Sequence, residues 1–175
     1  INMVNDMLTI SRIEGDRFDL NQDKVNLNNI VEQTYLILSP LATNKNFEFK
    51  KRLAKKAVFV VGDAAKITEV VQNIVGNALK FTRQGQIILS CYQENDQAFI
   101  SVKDTGPGIA PEDFSKLFQK FCRLENSYVK IRETGTGLGL YIARQIMRKH
   151  HGDIIAESTF GKGSTFTLVF PLVAN

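Results

Sequence analysis

The chain has 175 residues, 43% of them hydrophobic and 23% charged, which suits one folded domain with a short extension and excludes wholesale disorder. Twenty-two Lys+Arg against 18 Asp+Glu leave a charge of +4, a mild basic excess. Part of it lies in Lys50-Lys51-Arg52 and Lys55-Lys56, where no aromatic residues alternate with the charges. A nucleic-acid platform needs such alternation, so these residues read as the solvated end of a hairpin and no nucleic-acid partner is expected. The longest apolar run, Ala57 to Val61, is far below the roughly 20 residues of a membrane-spanning helix, and no basic-then-apolar leader opens the chain. The first residue is Ile1, so the chain reads as cut from something longer, and an upstream membrane segment is left open. Cys91 and Cys122 lack CxxC spacing and neighbouring His, which argues against a zinc site or disulfide scaffold and fits a reducing cytosol.

Residues 1–14 read as a helix, with Val4, Met7, Leu8 and Ser11 at helical spacing, Met3 and Ile10 widening the apolar stripe, and Gly15 as the stop. Such a stripe belongs in a helical bundle. Beyond the polar stretch 19–24, Asn26 can cap a helix carrying Ile30, Val31, Tyr35, Ile37 and Leu38. Strand candidates follow at 47–53 and 57–61, and Asp63 then caps a strong helix running to about Phe81. Segments 86–93 and 97–103 alternate or are β-rich, and Glu94-Asn95-Asp96 between them has a hairpin turn's composition.

A short helix is expected around 111–117. Positions 119–135 are polar and aperiodic, longer than the ~12–15 residues of ordinary loops, and form a candidate lid. A helix at about 137–151 precedes two last strands, 153–159 and 164–170. The pattern is α+β: a two-layer sandwich, with a mixed, mostly antiparallel sheet and helices packed on one face.

On the helix from Asp63, Asn73, Asn77 and Lys80 fall at i, i+4 and i+7, within roughly 60° of one another around the axis. The stripe flanks the apolar face formed by Ile67, Val70, Val71, Ile74, Val75 and Ala78. Two amides and an ammonium aimed one way suit a hydrated divalent cation and phosphate oxygens. Taken alone, the same residues also suit a wet helix face.

Three glycine clusters bear on that choice. Asp104-Thr105-Gly106-Pro107-Gly108-Ile109 ends a strand where backbone can approach a ligand, and Asp104 is a fixed acceptor for an exocyclic amine. Gly135-Thr136-Gly137-Leu138-Gly139-Leu140 opens a helix, where backbone N–H groups can hold phosphate. Gly161-Lys162-Gly163 connects the last strands, either as an ordinary hairpin turn or as part of the same site. There is no GxxxxGK[ST], and Gly135 follows polar loop rather than a buried strand, so neither a Walker loop nor a Rossmann fingerprint is present.

In order along the chain, these motifs resemble the catalytic and ATP-binding domain of two-component sensor histidine kinases, in the Bergerat fold shared with gyrase-type, MutL-type and heat-shock chaperone ATPases. Glu69 to Thr82 is similar to the N box, Asp104 to Ile109 to the first glycine box, and Phe114 to Phe121 to the F box. Gly135 to Leu140 is similar to the second glycine box, and Gly161 to Phe166 to the final glycine turn and strand. Five boxes in order at ordinary separations are far more specific than any one of them.

The resemblance implies ATP and Mg²⁺ as cofactors. It gives Asn77 as the principal metal ligand with Asn73 beside it, Lys80 on the phosphates, and Asp104 on the adenine amine above Gly106 and Gly108. It puts Gly135, Thr136, Gly137, Leu138 and Gly139 at the lid hinge and phosphates, Arg123 on phosphate, and Thr165 near the adenine through water. Cys122, where many relatives have Tyr, reads as a packing residue. Asn73, Lys80 and Arg123 are the residues expected to act in catalysis. ATP-hydrolysing relatives typically carry Glu where this chain has Asn73, which cannot act as a general base; that favours phosphoryl transfer to a protein over hydrolysis.

The phosphoacceptor of such kinases is a His on an upstream bundle helix. The two histidines here, His150 and His151, sit at a helix C-terminus and read as structural. Residues 1–18 are therefore expected to be the end of the second dimerisation helix and a linker, and 19–175 the catalytic domain. The implied partners are the dimerisation and phosphoacceptor domain of the same protein, homodimeric when whole, and a response-regulator receiver domain. The chain alone is expected to be a cytoplasmic monomer that binds Mg·ATP without autophosphorylating. Alternative functions are an ATP-sensing module without transfer and a serine-directed kinase of the anti-sigma type.

Overall fold

The computed structural model describes residues 3–15, 17–43, 45–122 and 135–172. Residues 123–134 of the candidate lid expected at 119–135, Arg123 among them, lie outside these. Helix α1 spans Met3–Glu14 and closes where Gly15 N–H donates to Ser11 O at 2.9 Å. Strand β1, Asp23–Asn26, leads into α2, Leu27–Ala42, where Asn26 Oδ1 caps the helix by accepting from Asn28 N–H at 3.0 Å. Then come β2 (Asn46–Arg52), β3 (Phe59–Gly62) and α3 (Ala64–Phe81). Strands β4 (Gln84–Glu94) and β5 (Gln97–Asp104) form a hairpin whose turn residues Asn95 and Asp96 take φ of 46° and 59°. A 3₁₀ helix at Pro111–Lys116, α4 (Gly139–Lys149), β6 (Asp153–Thr159) and β7 (Gly163–Pro171) complete the order.

Five strands form one sheet in the order β2-β4-β5-β7-β6; only β2 and β4 run parallel. Helices α2, α3 and α4 line up against one face. Ile87 and Leu89 of β4, Ile100 and Val102 of β5 and Leu168 of β7 meet Ile67, Val71, Ile74 and Val75 of α3 in the core, all at 1% exposure or less. Each such side chain contributes about 1.5–3 kcal/mol on burial, so α3 is held by its apolar face and its flank is left to carry polar groups. No helix among the described residues is long and apolar enough to cross a membrane.

The expected hairpin around Lys50 to Lys56 does not form. β2 lies at the edge of the main sheet, whereas β3 pairs antiparallel with β1 in a separate two-stranded sheet. Val25 and Val60, partners across that pair, are buried at 5% and 1%, so the pair turns both side chains into the core. Lys50 and Lys51 are ion-paired with Glu48 and Glu32, and Lys55 and Lys56 are exposed.

On α1, Ile10 and Ile13 are the buried residues, while Met3, Val4, Met7 and Leu8 are 47–61% exposed. The helix docks beside α4 with Ile10 joining the core, and polar contacts flank it. Thr136 Oγ1 donates to Asp6 Oδ2 at 2.9 Å, Tyr141 Oη donates to Glu14 Oε1 at 3.2 Å, and Lys120 pairs with Glu14.

Candidate functional site

Helix α3 is fixed at its N-terminal end. Its N-cap, Asp63, accepts from Lys66 N–H at 3.0 Å, and the Asp63 backbone N–H donates to His150 Nε2 at 3.0 Å. His150 is 3% exposed, and its Nδ1 lies 2.8 Å from Ile146 O, which makes Nδ1 the donor and His150 a neutral clasp between α3 and α4. Burial above all, and the nearby His151, hold its pKa below the usual histidine value, against the Ile146 carbonyl and Asp63. Its structural reading stands.

With α3 clasped to α4, the half-buried Asn73, Asn77 and Lys80 lie along one edge of α3, and the start of α4 closes on that edge. A Cβ built on Gly139 would sit 2.7 Å from Asn73 Nδ2 and 2.8 Å from Oδ1, so only the missing side chain allows the approach. A Cβ on Gly135 would lie 3.5 Å from Lys80 Nζ. The N-box edge and the second glycine cluster, about 60 residues apart in sequence, thus share one space.

Asp104 ends β5 at 8% exposure, and its Oδ1 accepts from Gly106 N–H at 2.7 Å. Burial pushes its carboxyl above the ordinary value, while the Gly106 and Ser164 backbone groups pull it back. Gly108 carries the loop onward at φ 68°, pressed so close that a Cβ would stand 2.2 Å from Thr159 O.

The turn between β6 and β7 braces this loop. Gly161 N–H donates to Pro107 O at 2.7 Å, and Ile109 N–H donates to Ser158 Oγ at 2.8 Å. Ser158 Oγ in turn donates to Gly163 O at 2.9 Å and lies 2.9 Å from Ser164 Oγ. The third glycine cluster is therefore a hairpin turn that also supports the site.

One assignment needs correction. Thr165 pairs across from Lys103, whereas Ser164 pairs across from Asp104. Opposed side chains in an antiparallel pair share a face, so Ser164 joins Asp104 and Thr165 points to the sheet's other side. Leu138 is fully buried in the core, so its side chain packs rather than binds. Thr136 also turns its hydroxyl to Asp6, while accepting from Leu138 N–H at 3.3 Å. Sequence reading missed Ser164 and Ser158; strict alternation back from the apolar Phe166, Leu168 and Phe170 would have put Ser164 on the Asp104 face.

Among the described residues, no three of His, Cys, Asp and Glu gather to hold a metal. A cation here would be held by neutral amide oxygens, which fits one that arrives with a polyphosphate supplying the negative charge. Buried Asp104, the glycine-lined approach to Asn73, and Lys80 fit the remainder of a nucleotide.

Residues 62–174 match the model of the histidine kinase-, DNA gyrase B- and HSP90-like ATPase family. The chain belongs to that family, an ATP-binding one. The sensor histidine kinase WalK of Bacillus subtilis is 35% identical over 98% of this chain and 28% of its own length. The circadian input-output histidine kinase CikA of Synechococcus elongatus is 34% identical over 98% of the chain and 23% of its own. The chain thus spans less than a third of these relatives. Full-length ShkA in complex with AMPPNP superposes with a TM-score of 0.87 at 26% identity, covering 99% of this chain and 36% of that one. The catalytic domain of histidine kinase ThkA gives 0.75 at 26% identity, covering 90% of this chain and 100% of that domain. The two-layer α+β architecture read from the sequence is the architecture of these kinase domains.

Proposed function

We propose that this chain binds Mg·ATP and donates its γ-phosphoryl group to a histidine on the dimerisation domain of a two-component sensor kinase. The observation that carries this reading is the meeting of Asn73 and Lys80 with Gly139 and Gly135. It supports one polyphosphate pocket, built from the N-box edge and the start of α4. Asn77 and Asn73 would hold the Mg²⁺, Lys80 would meet the phosphates, and Asp104 would accept from the adenine amine. Mg²⁺ supplies charge neutralisation on the transferring phosphoryl group.

Asn73 has no proton-accepting carboxylate, so this chain's residues orient the nucleotide rather than activate water. Backbone N–H groups at the start of α4 add fixed positive ends aimed at phosphate. Residues 1–18 are proposed to be the end of a dimerisation helix and a linker. The exposed Met3, Val4, Met7 and Leu8 fit a bundle partner, and the receiver domain of a response regulator would take the phosphoryl group onward.

The test is transfer in trans. A separately produced acceptor bundle from the whole protein is incubated with this chain and γ-labelled ATP. The expected result is acid-labile phosphate on the bundle, lost with Asn77→Ala. Acid-stable phosphate would mean a serine-directed kinase, and tight ATP binding without transfer would mean a sensing module.

A further inference from the structure

The end of α3 carries a buried hydroxyl that the fold does not use. Thr82 is the C-cap residue; its backbone N–H donates to Ala78 O at 2.9 Å, and the residue is 2% exposed. Its Oγ1 has no hydrogen-bond partner. Buried hydroxyls are almost always satisfied, and one that is not serves better as the methyl of an isosteric Val. Asn28 Oδ1 and Thr34 Oγ1 share this state, but both belong to α2.

The place of Thr82 is informative. A Cβ built on Gly106 would lie 2.8 Å from Asp104 Oδ1 and 3.4 Å from Thr82 Oγ1. A carboxylate and a hydroxyl from different elements therefore converge on Gly106 of the first glycine loop, so closely that a side chain there would collide with the carboxylate. Ionised, Asp104 only accepts, whereas the Thr82 hydroxyl can donate. An acceptor beside a donor complements a base edge with an amine next to a bare ring nitrogen, which is the edge of adenine.

We propose that Thr82 is a base-reading residue: its hydroxyl donates to the adenine ring nitrogen adjacent to the amine, directly or through one water, while Asp104 takes the amine. This rests on the ATP reading above and names a further specificity contact for the same site. Thr82→Val keeps the shape and removes only the hydrogen bond, so the variant should fold as well as its parent.

The experiment is a chemical double-mutant cycle read by calorimetry. The unaltered chain, Thr82→Val and Thr82→Ser are each titrated with Mg·ATP and with Mg·1-deaza-ATP, in which carbon replaces that ring nitrogen. The expected result is a roughly tenfold loss of ATP affinity in Thr82→Val, near-recovery in Thr82→Ser, and no further loss for the deaza analogue in Thr82→Val. The unaltered chain should itself bind the analogue more weakly than ATP, whether or not a variant folds.

Equal weakening of both ligands in Thr82→Val would assign Thr82 a packing role and overturn the proposal. So would unchanged ATP affinity in Thr82→Val, with the nucleotide site itself left standing. Failure of the unaltered chain to bind ATP would instead remove the function proposed above, and this contact with it.

Discussion

Gly139 packs directly on the side-chain amide of Asn73, at a separation where a Cβ would stand 2.7 Å from Nδ2. The atom in the way is the end of a side chain, not backbone, so an added methyl would displace the amide rather than break α4. Gly139 is also the first residue of α4, where Ala gains less over Gly than the roughly 1 kcal/mol of a helix interior. Gly139→Ala is therefore expected to leave the urea-unfolding free energy within about 1 kcal/mol of its parent. Misplacing an orienting group costs about ten- to a hundredfold, and Mg·ATP affinity should fall by that much. Calorimetry that shows unchanged affinity would separate Asn73 from the nucleotide.

Asp104 trades stability for recognition. Its folded pKa is raised by burial, so the unfolded chain ionises first, and stability is lost as pH rises from the ordinary carboxyl value through the folded one. At neutral pH the carboxylate is a net cost. Asp104→Asn keeps an oxygen for Gly106 N–H and removes the charge, so the thermal midpoint should hold or rise. Losing a charged acceptor for the base costs about 1.5–3 kcal/mol, which predicts a ten- to hundredfold fall in ATP affinity. A variant that is both less stable and equally tight for ATP would contradict both halves.

The two cysteines should separate cleanly under a thiol reagent. Cys91 is 3% exposed on β4, and burial pushes its thiol up to about 12, so its thiolate fraction at pH 8 is on the order of 10⁻⁴. Cys122 is only half-buried. Native protein with an aromatic disulfide reagent at pH 8 is expected to release one equivalent promptly and the second only on unfolding in guanidinium. Two prompt equivalents would mean that β4 opens readily.

Local chemistry was legible in the sequence, and non-local pairing was not. The α3 boundaries follow from Asp63 as cap and the apolar spacing behind it, and the β4–β5 turn follows from Asn95 and Asp96, which tolerate positive φ. The parallel pairing of β2 with β4 joins strands more than 30 residues apart, and nothing local distinguishes it from a hairpin with β3. Strand β1 is four residues long, and only one of them is buried, too little for a periodicity to show. Within the site, Asp104, the N-box stripe and the glycine loops were readable by type. Whether Ser164 or Thr165 joins Asp104 depended on register, where one residue decides the face.

The clasp between His150 and Asp63 should make stability depend on pH near neutrality. His150 is held neutral, with a folded pKa below 6.5, chiefly by burial. The unfolded chain takes up the proton first, so stability is fully present above about 6.5 and declines as pH falls toward the folded value. Protonation would also remove the Nε2 lone pair that accepts from Asp63 N–H, releasing the start of α3 from the end of α4. Between pH 7.5 and 5.5 stability is therefore expected to fall, and the fall runs in one direction only. His150→Asn should flatten that slope and lower stability at pH 7.5 by about 1–3 kcal/mol, because a buried N–H loses its acceptor. Urea unfolding of both proteins across this range tests the claim, and a parental curve no steeper than that of His150→Asn would refute it.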